Sequence, residues 1–423
     1  MATILNAAAF DAVLKVRYTD EAIRKLTYRN HPLLAVLPKM EGFGGKNLPI
    51  PIQYGTPQGR SAYLAAAKEG KYASNFEDFV LTRVQNFSYI EIDAETMKAS
   101  MGDPSAFMAA RQQEIDGMVE SLGRDIALDL FKGGYGVRGR AGTVAAGTVT
   151  LDSVQDAVNF EIGQRIVATA SATPAGSGAL RSAGADGQLT AVNRRTGVLT
   201  GVGTATIAAL VATDYLHVRG DASGSTTRRK IAGLDAWIPS TDPTAGDSHF
   251  GVDRSVDPTT LAGQRVDGTS STVAEAIMDA GALLFREGGN PDIVVMNATH
   301  SAELAKELMG KTEYSPVQSS DGLISFDAYS VRTPAGRVRV LEDPNCPAGV
   351  AYMLQPDTWK LYSLGPAPHL ADDDGRIALR LTPPAYSAAT AAGDGDGIEV
   401  RGRFYGNLGC RAPRWNARIS LAT

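Results

Sequence analysis

The stretch that decides the fold lies at residues 103–132, DPSAFMAARQQEIDGMVESLGRDIALDLFK. Asp103 suits a helix N-cap, and Pro104 suits the first helical position, where no backbone N–H is needed. Apolar side chains then recur at spacings of three and four until Gly133 and Gly134, which predicts one amphipathic helix. Its length of about 43 Å is far above the mean for globular proteins, so we expect the spine of an elongated domain. The apolar stripe consists of Phe107, Ile115, Met118, Val119, Leu122, Ile126 and Leu130.

The segment before this helix, residues 41–93, has the alternation of β-strands. In KNLPIPIQY (46–54) the apolar side chains share one face and two prolines share the other. Because proline cannot donate to a β-ladder, this strand is expected at an edge. A tip of small and polar residues (55–70) and a long second strand (79–92) complete a predicted hairpin. A lone two-stranded hairpin is marginal in water, so it needs another surface, such as another subunit.

Residues 1–40 predict an N-terminal arm with short helical pieces. An apolar stripe at helical spacing follows Thr19, and it ends at His31-Pro32, since proline disfavours the helical conformation in the preceding residue. The apolar segment LLAVLP (33–38) comes next, and nothing in the sequence after it predicts a compact core around it.

The middle and the end of the chain differ in character. Residues 141–222 are rich in Gly, Ala, Thr and Ser with short strand-like pieces, which predicts a small all-β insertion. Residues 231–423 alternate helices and strands. There, Thr272 and Glu275 form a predicted capping box, and Asn297 is the predicted cap of the next helix.

The composition of the 423-residue chain fits a globular protein of two to three domains. A net charge of −5 argues against a dedicated nucleic-acid binder, which would carry a basic surplus. No apolar run is long enough to span a bilayer, and the N-terminus lacks the pattern of a secretory signal. Cys346 and Cys410 make neither a disulfide framework nor a zinc pair, and we expect two reduced thiols.

The sequence contains no catalytic constellation. GYGVRG (134–139) matches GxGxxG but follows a helix, so we expect a turn, and GKT (310–312) lacks the first glycine of a phosphate loop. The five histidines are scattered without HExxH spacing and are expected to be surface or core groups. The run 228–230 (RRK) is expected to be a solvated linker.

Two acidic stretches, 372–374 and 394–399, carry the oxygen ligands that hard cations prefer. Neither forms the twelve-residue loop of a known calcium site, so solvated loops are the simpler interpretation. A hydrolase using these carboxylates remains an alternative. The sequence thus predicts no catalytic residue, no metal and no cofactor.

The order of these elements resembles that of the major capsid proteins of tailed bacteriophages, which have the Hong-Kong-97-type fold. The resemblance is carried by the strand entering the hairpin (44–55), the long helix (103–132), IAGLDAWI (231–238), the helix–strand–helix at 272–309 and VRGRFYG (400–406). It covers nearly the whole chain and rests on element order, since no single motif in it is diagnostic.

The resemblance implies an α+β, Hong-Kong-97-like capsid fold with an arm, an extended loop, a spine helix, peripheral and axial domains and a small all-β insertion domain. The implied divisions are the N-terminal arm (1–40), the extended loop hairpin (41–93), the spine helix of the peripheral domain (94–140), the insertion (141–222), and the axial domain with the return strands of the peripheral domain (223–423).

The resemblance also implies a function. We expect a structural subunit, not an enzyme, of an icosahedral phage head that self-assembles around a double-stranded DNA genome. The shell protein of a cellular nanocompartment, encapsulin-like and of the same fold, is the alternative. The implied partners are copies of the chain in hexamers and pentamers, portal and scaffolding proteins, in some shells a decoration protein, and DNA held without sequence-specific contacts. Neither a membrane nor a cofactor is implied, and the expected location is the virion after assembly in the host cytoplasm.

The hairpin is the part of the chain that would reach a neighbouring subunit. Some members of the family join a loop lysine to a neighbour's asparagine, but no motif here identifies the asparagine. The predicted interface candidates are Tyr54, Tyr63, Leu64, Lys68, Lys71, Tyr72 and Phe76.

Overall fold

The computed structural model of the chain describes residues 31–93, 104–172, 180–222, 227–308, 313–318, 325–365, 369–370, 378–380 and 397–422. The predictions of an arm helix after Thr19, of the loop at 310–312 and of the acidic stretch at 372–374 lie outside the described residues, as does the start of the stretch at 394–399.

Helices and strands are numbered along the chain. The helices are α1 (Pro32–Val36), α2 (Leu64–Glu69), α3 (Pro104–Asp129), α4 (Leu234–Trp237), α5 (Pro258–Ala262), α6 (Val273–Arg286) and α7 (Ala298–Glu307). The strands are β1 (Lys39–Glu41), β2 (Asn47–Gly55), β3 (Asn75–Thr82), β4 (Val84–Asp93), β5 (Val137–Val144), β6 (Thr148–Leu151), β7 (Arg165–Thr169), β8 (Gly187–Gln188), β9 (Ala191–Asn193), β10 (Val198–Thr200), β11 (Tyr215–Val218), β12 (Ser248–His249), β13 (Val252–Asp253), β14 (Gln264–Gly268), β15 (Ile293–Met296), β16 (Glu313–Gln318), β17 (Ser325–Thr333), β18 (Gly336–Glu342), β19 (Val350–Leu354), β20 (Trp359–Ser363), β21 (His369–Leu370), β22 (Ala378–Arg380), β23 (Gly397–Cys410) and β24 (Ala417–Leu421).

The long helix α3 occupies the stretch where the sequence predicts it and ends a few residues earlier than expected, at Asp129. Its apolar stripe lies against β4 and β23, where Gly402 leaves room for the helix. A Cβ at that glycine would lie 3.2 Å from the Leu122 side chain. The buried members of the stripe within the described residues are Ile115, Met118, Val119, Leu122, Ile126 and Leu130.

The 14-residue strand β23 organises the sheet beneath α3, which we call the long-strand sheet. Within the described residues, β23 pairs with β4, β20, β21 and β22, and β1 is added in parallel beside β20. Buried aromatic and aliphatic side chains of this sheet, of α3 and of the hairpin form one main core, which includes Trp237, Trp359, Phe43, Phe79, Phe131, Tyr352 and Phe404.

The hairpin differs from its prediction. The single long strand expected at 79–92 is two strands, of which β3 pairs with β2 while β4 joins β23. Buried side chains change from odd to even positions at this point, from Phe79 and Leu81 to Val84 and Asn86. Because side chains alternate between faces, this change of phase requires a break in the strand, which falls at Arg83.

The base of the hairpin packs on its own chain, so at the base the surface that the sequence predicts it to need is supplied by the same subunit. Ile50, Phe79 and Leu81 are fully or almost fully buried in the main core. A Cβ at Gly409 of β23 would lie 2.7 Å from Ile50 and 3.1 Å from Leu81, so the two layers are in close contact.

The arm segment at 33–38 is likewise buried, which the sequence did not predict. Leu33, Leu34 and Leu37 belong to the main core. The backbone N–H of Leu33, at the start of α1, donates a hydrogen bond to the Asp343 carboxylate (3.1 Å). The segment is therefore anchored at both an apolar and a polar contact.

A second sheet carries the predicted helix–strand–helix. In the described part of the chain its strand order is β14-β24-β19-β15-β18-β17-β16. The predicted capping box at Thr272 is present at the start of α6, and the Asn297 side chain caps α7. In β15, Ile293 and Val295 face the main core, while the alternate residues face a second core beneath α6 and α7.

The predicted all-β insertion contains its own sheet, with the described strands in the order β8-β7-β11-β5-β6-β10-β9. Its first strand, β5, begins at Val137, so the sheet starts earlier than the predicted boundary at 141. The GxGxxG stretch forms the turn into β5, with positive φ at Gly134 and Gly136. We use "the insertion" below for residues 137–222.

Replacing Ile126 by Asp tests the buried face of α3. Ile126 is 1% exposed in the main core, and an unpaired carboxylate there is expected to lower the free energy of unfolding by about 3–5 kcal/mol. Ser121→Asp, at an exposed position of the same helix, is the control and should change stability little. Urea unfolding of both variants measures this, and equal midpoints would contradict the assigned face.

Candidate subunit-contact site

The end of the hairpin, residues 56–74, extends beyond the buried base and carries the short helix α2. Gln58 and Tyr72 close it through two backbone hydrogen bonds of 2.9 and 3.1 Å. Four large apolar side chains stand exposed here: Tyr63 by 77%, Leu64 by 72%, Tyr72 by 62% and the adjoining Phe76 by 64%. We call these four residues the apex patch.

The other predicted interface residues occupy two different environments. Tyr54 is half-buried and packs against the main core, so it is not part of the apex patch. Lys68, in the last turn of α2, and Lys71 are exposed beside the patch. On the other side, Glu77 and Asp78 follow Phe76 and are exposed as well. The patch is thus apolar at its centre and charged at its rim.

A second group of exposed aromatic side chains lies on the face of the long-strand sheet opposite α3. Phe87 (55% exposed) stands across from Arg403, and Tyr89 (52% exposed) stands across from Arg401. The Phe87 and Tyr405 rings meet edge to face at 5.8 Å. Together these side chains line a cleft of about 410 Å³, which we call the β4–β23 cleft: Phe87, Ser88, Tyr89, Arg401, Arg403 and Tyr405.

Sequence reasoning missed this cleft. The signal that could have found it is the alternation in β4, where Val84 and Asn86 are buried and Phe87 and Tyr89 point the other way. Exposed aromatic residues on the outer face of a strand are uncommon in a monomer and often mark an interface. Within the cleft, Arg401 is paired with Glu399, which is the one side chain described from the acidic stretch 394–399.

The buried histidines and cysteines make structural contacts. His217 bonds to Thr169 and to the Tyr135 carbonyl, and burial lowers its pKa to about 4. His300 accepts a hydrogen bond from the Gly349 N–H (2.9 Å). Burial raises the pKa of the Cys410 thiol to about 12, which keeps it protonated. In the described residues, no cluster of His, Cys, Asp and Glu has the arrangement of a metal site.

The run 228–230 is not the solvated linker that the sequence predicted. Arg228 donates to the Gly133 carbonyl (3.2 Å) and lies over the rings of Tyr135 and Phe250. Lys230 is buried and donates to Asp125 at 2.6 Å. The chain returning from the insertion passes close to the end of α3, which places these cations against carbonyls, rings and carboxylates.

No described helix combines the length and the apolar character needed to cross a membrane. Residues 210–374 match the family model of the SU10 major capsid protein. No curated protein matches the chain in sequence.

Among solved structures, the chain is similar to a capsid asymmetric unit of cyanophage A-1(L), with 13% identity over 92% of each chain and a TM-score of 0.49. It is similar to a chain from Mycobacterium phage Ogopogo, with 12% identity over 93% of each chain and a TM-score of 0.44. It is also similar to the capsid of a native GTA particle, with 10% identity over 94% of this chain and 91% of that one and a TM-score of 0.43.

The segment matched by the family model contains two of the stretches on which the predicted resemblance rests, IAGLDAWI at 231–238 and the helix–strand–helix at 272–309. The match agrees with the resemblance by a route independent of element order, since residues 210–374 are similar to the major capsid protein of a phage.

Proposed function

We propose that copies of this chain self-assemble into an icosahedral shell around double-stranded DNA, and that the apex patch is where one copy binds the next. The observation that carries the second part is the exposure of the four patch residues, each above 60%, at the end of a hairpin whose base is buried. A buried base holds the apex in one orientation, so binding costs little ordering of the chain.

The chemistry of the apex patch favours a protein surface as its partner. Tyrosines are enriched among the residues that dominate binding energy at interfaces, and the patch contains two of them, Tyr63 and Tyr72. Removing all four side chains from water would be favourable at about 25 cal/mol per Å² of apolar surface. Lys68 and Lys71 at the rim suit the polar border that such interfaces have.

The β4–β23 cleft is the acceptor that we propose on the neighbouring copy. Its rings and the guanidinium groups of Arg401 and Arg403 complement Phe76 and the carboxylate of Asp78, which share one face of β3. Donor and acceptor are different surfaces of the same chain, so the contact is head to tail. Such contacts repeat by rotation and close into rings, as hexamers and pentamers require.

The proposal also includes the roles of the individual segments, the partners and the place of assembly. The arm, extended loop, spine helix, insertion and axial domain take the roles that the resemblance implies, with the insertion sheet beginning at 137 rather than 141. Portal and scaffolding proteins, an optional decoration protein and enclosed DNA are the proposed partners, and the proposed place of assembly is the host cytoplasm. The role is structural rather than enzymatic. The family match favours a phage head over an encapsulin-like compartment.

Phe76 and Phe285 provide a matched pair for testing the apex patch, because both are 64% exposed. Phe285 lies on α6, away from the hairpin. We expect Phe76→Ser to leave the purified chain as dispersed subunits and Phe285→Ser to assemble as the wild type does, as seen by electron microscopy. Both variants should unfold within about 0.5 kcal/mol of the wild type, since neither side chain is buried. Wild-type shells from the Phe76→Ser variant would contradict the role of the patch.

The proposed acceptor is tested by exchanging charges between the two surfaces. Asp78→Arg is expected to reduce the yield of shells at least tenfold, because it places a third cation in the cleft beside Arg401 and Arg403. Adding Arg403→Glu to the same chain should restore the yield, because the arginine introduced in the hairpin of one copy then faces the carboxylate introduced in the cleft of the next copy. Shell yield is measured by sedimentation. A double variant no better than Asp78→Arg would rule out this cleft as the acceptor.

A further inference from the structure

The insertion is joined to the rest of the chain by charged groups rather than by a shared apolar core. Its own core contains Leu151, Phe160, Leu199 and Leu216, and among the described residues it has no member in common with the other two cores. The contacts that cross the junction are mainly ion pairs to α3. The stability of such a junction depends on whether its acidic and basic groups are ionised, whereas that of an apolar junction does not.

Two cations and two carboxylates form the centre of the junction. Lys230 Nζ lies 2.6 Å from Asp125 Oδ2 on α3 and 3.3 Å from Asp221 Oδ1 at the end of the insertion. Arg138 on β5 pairs with the same two carboxylates, at 3.4 Å from Asp221 Oδ2. The side-chain amide of Asn86 on β4 donates to Asp125 and accepts from Lys230. These four charges balance.

Asp129, one turn further along α3, is the acid that upsets this balance when it ionises. Its Oδ2 lies 3.8 Å from Lys230 Nζ, and in the described part of the chain this oxygen has no hydrogen-bond partner. Burial raises the pKa of Asp129 to about 7, and the charge of Asp221 adds to this, while Lys230 and Lys132 act in the opposite direction. An ionised Asp129 is thus a third carboxylate against two cations at the centre.

Further ionic contacts border this centre on the same side of α3. Arg124 donates to Glu161 and to the Val158 carbonyl of the insertion. Lys132 lies 4.0 Å from Asp156, whose pKa is raised by burial. His217, within the insertion, has its pKa lowered by burial to about 4 and so stays neutral above pH 5.

We propose that Asp125, Asp129, Arg138, Asp221 and Lys230 form a pH-sensitive latch, which holds the insertion on α3 while Asp129 is neutral and loosens when Asp129 ionises. The latch concerns the isolated subunit and does not depend on the proposed assembly contact. The turn into β5, which adjoins these residues, contains Gly134 and Gly136 at positive φ. Gly136 passes so close to Asp221 that a Cβ there would lie 2.6 Å from the Asp221 Cβ.

The sign of the effect follows from the two states of Asp129. When the latch is open and Asp129 meets water, its pKa returns toward the ordinary value of 3.8, whereas in the closed latch it is about 7. At a pH between these two pKa values, Asp129 therefore keeps its proton in the closed state and has lost it in the open state. Relative to the open state, the closed state is most stable at the acidic end of this range. Its stability falls as the pH rises to about 7 and does not fall further above that pH.

Hydrogen exchange of the wild-type subunit between pH 5 and 8 tests the latch, followed at the junction strands β5 and β11 and corrected for the intrinsic pH dependence of exchange. We expect protection of these strands to fall at least tenfold over this range, while protection of β15 in the second core stays constant. A tenfold fall in protection corresponds to a difference of one unit between the pKa of Asp129 in the closed state and its pKa in the open state. Constant protection of β5 and β11 in the wild type would overturn the proposal without any variant.

Two asparagine variants then identify the acid responsible. Asp129→Asn keeps the shape of the side chain, removes the charge, and should hold the protection of β5 and β11 at its pH 5 level up to pH 8. Asp156→Asn is the matched control, because Asp156 is also an acid near Lys132 whose pKa is raised by burial, but it is only partly buried and lies outside the balanced centre. It should retain the wild-type pH dependence. A flat profile for Asp156→Asn with a wild-type profile for Asp129→Asn would overturn the assignment to Asp129.

Discussion

The burial of one face of α3 against β4 and β23 is the constraint on which the other parts of this structure depend. The helix needs a flat apolar surface as long as its own stripe, and β23 provides it because Gly402 lets the helix approach closely. Once α3 covers one face of this sheet, the part of the opposite face that carries Phe87 and Tyr89 stays exposed among the described residues. The exposure of the β4–β23 cleft is therefore a direct consequence of how the helix packs.

The hairpin shows how one element serves the fold and, in the proposed shell, the assembly. Its base contributes Ile50 and Phe79 to the main core, which fixes its direction. Among the described residues its apex has no such contacts, and Tyr63 and Tyr72 are exposed. A shell protein benefits from this division, because a rigid base presents the apex in a defined orientation while the uncovered apolar groups supply binding free energy only when a neighbour covers them.

The insertion is attached by a different kind of contact from the hairpin. It folds around its own core and contacts α3 mainly through charged side chains. A polar junction of this kind gives little stability beyond its hydrogen bonds, because burying ions has a desolvation cost. It gives a defined geometry instead, and one that responds to the ionisation of a single acid. The subunit thus combines an apolar framework with an attached sheet whose junction, in the proposed latch, responds to pH.

Local patterns in the sequence were enough to predict α3 with its buried stripe, the capping box at Thr272, the Asn297 cap and the strands of the insertion, because each depends on residues close together in the chain. The same patterns, through their order, indicated the capsid family. Only the tertiary structure decided which strands pair and which surfaces are left open. The break at Arg83, the β4–β23 cleft and the burial of Lys230 all depend on segments far apart in sequence, and local periodicity carries no information about contacts between such segments.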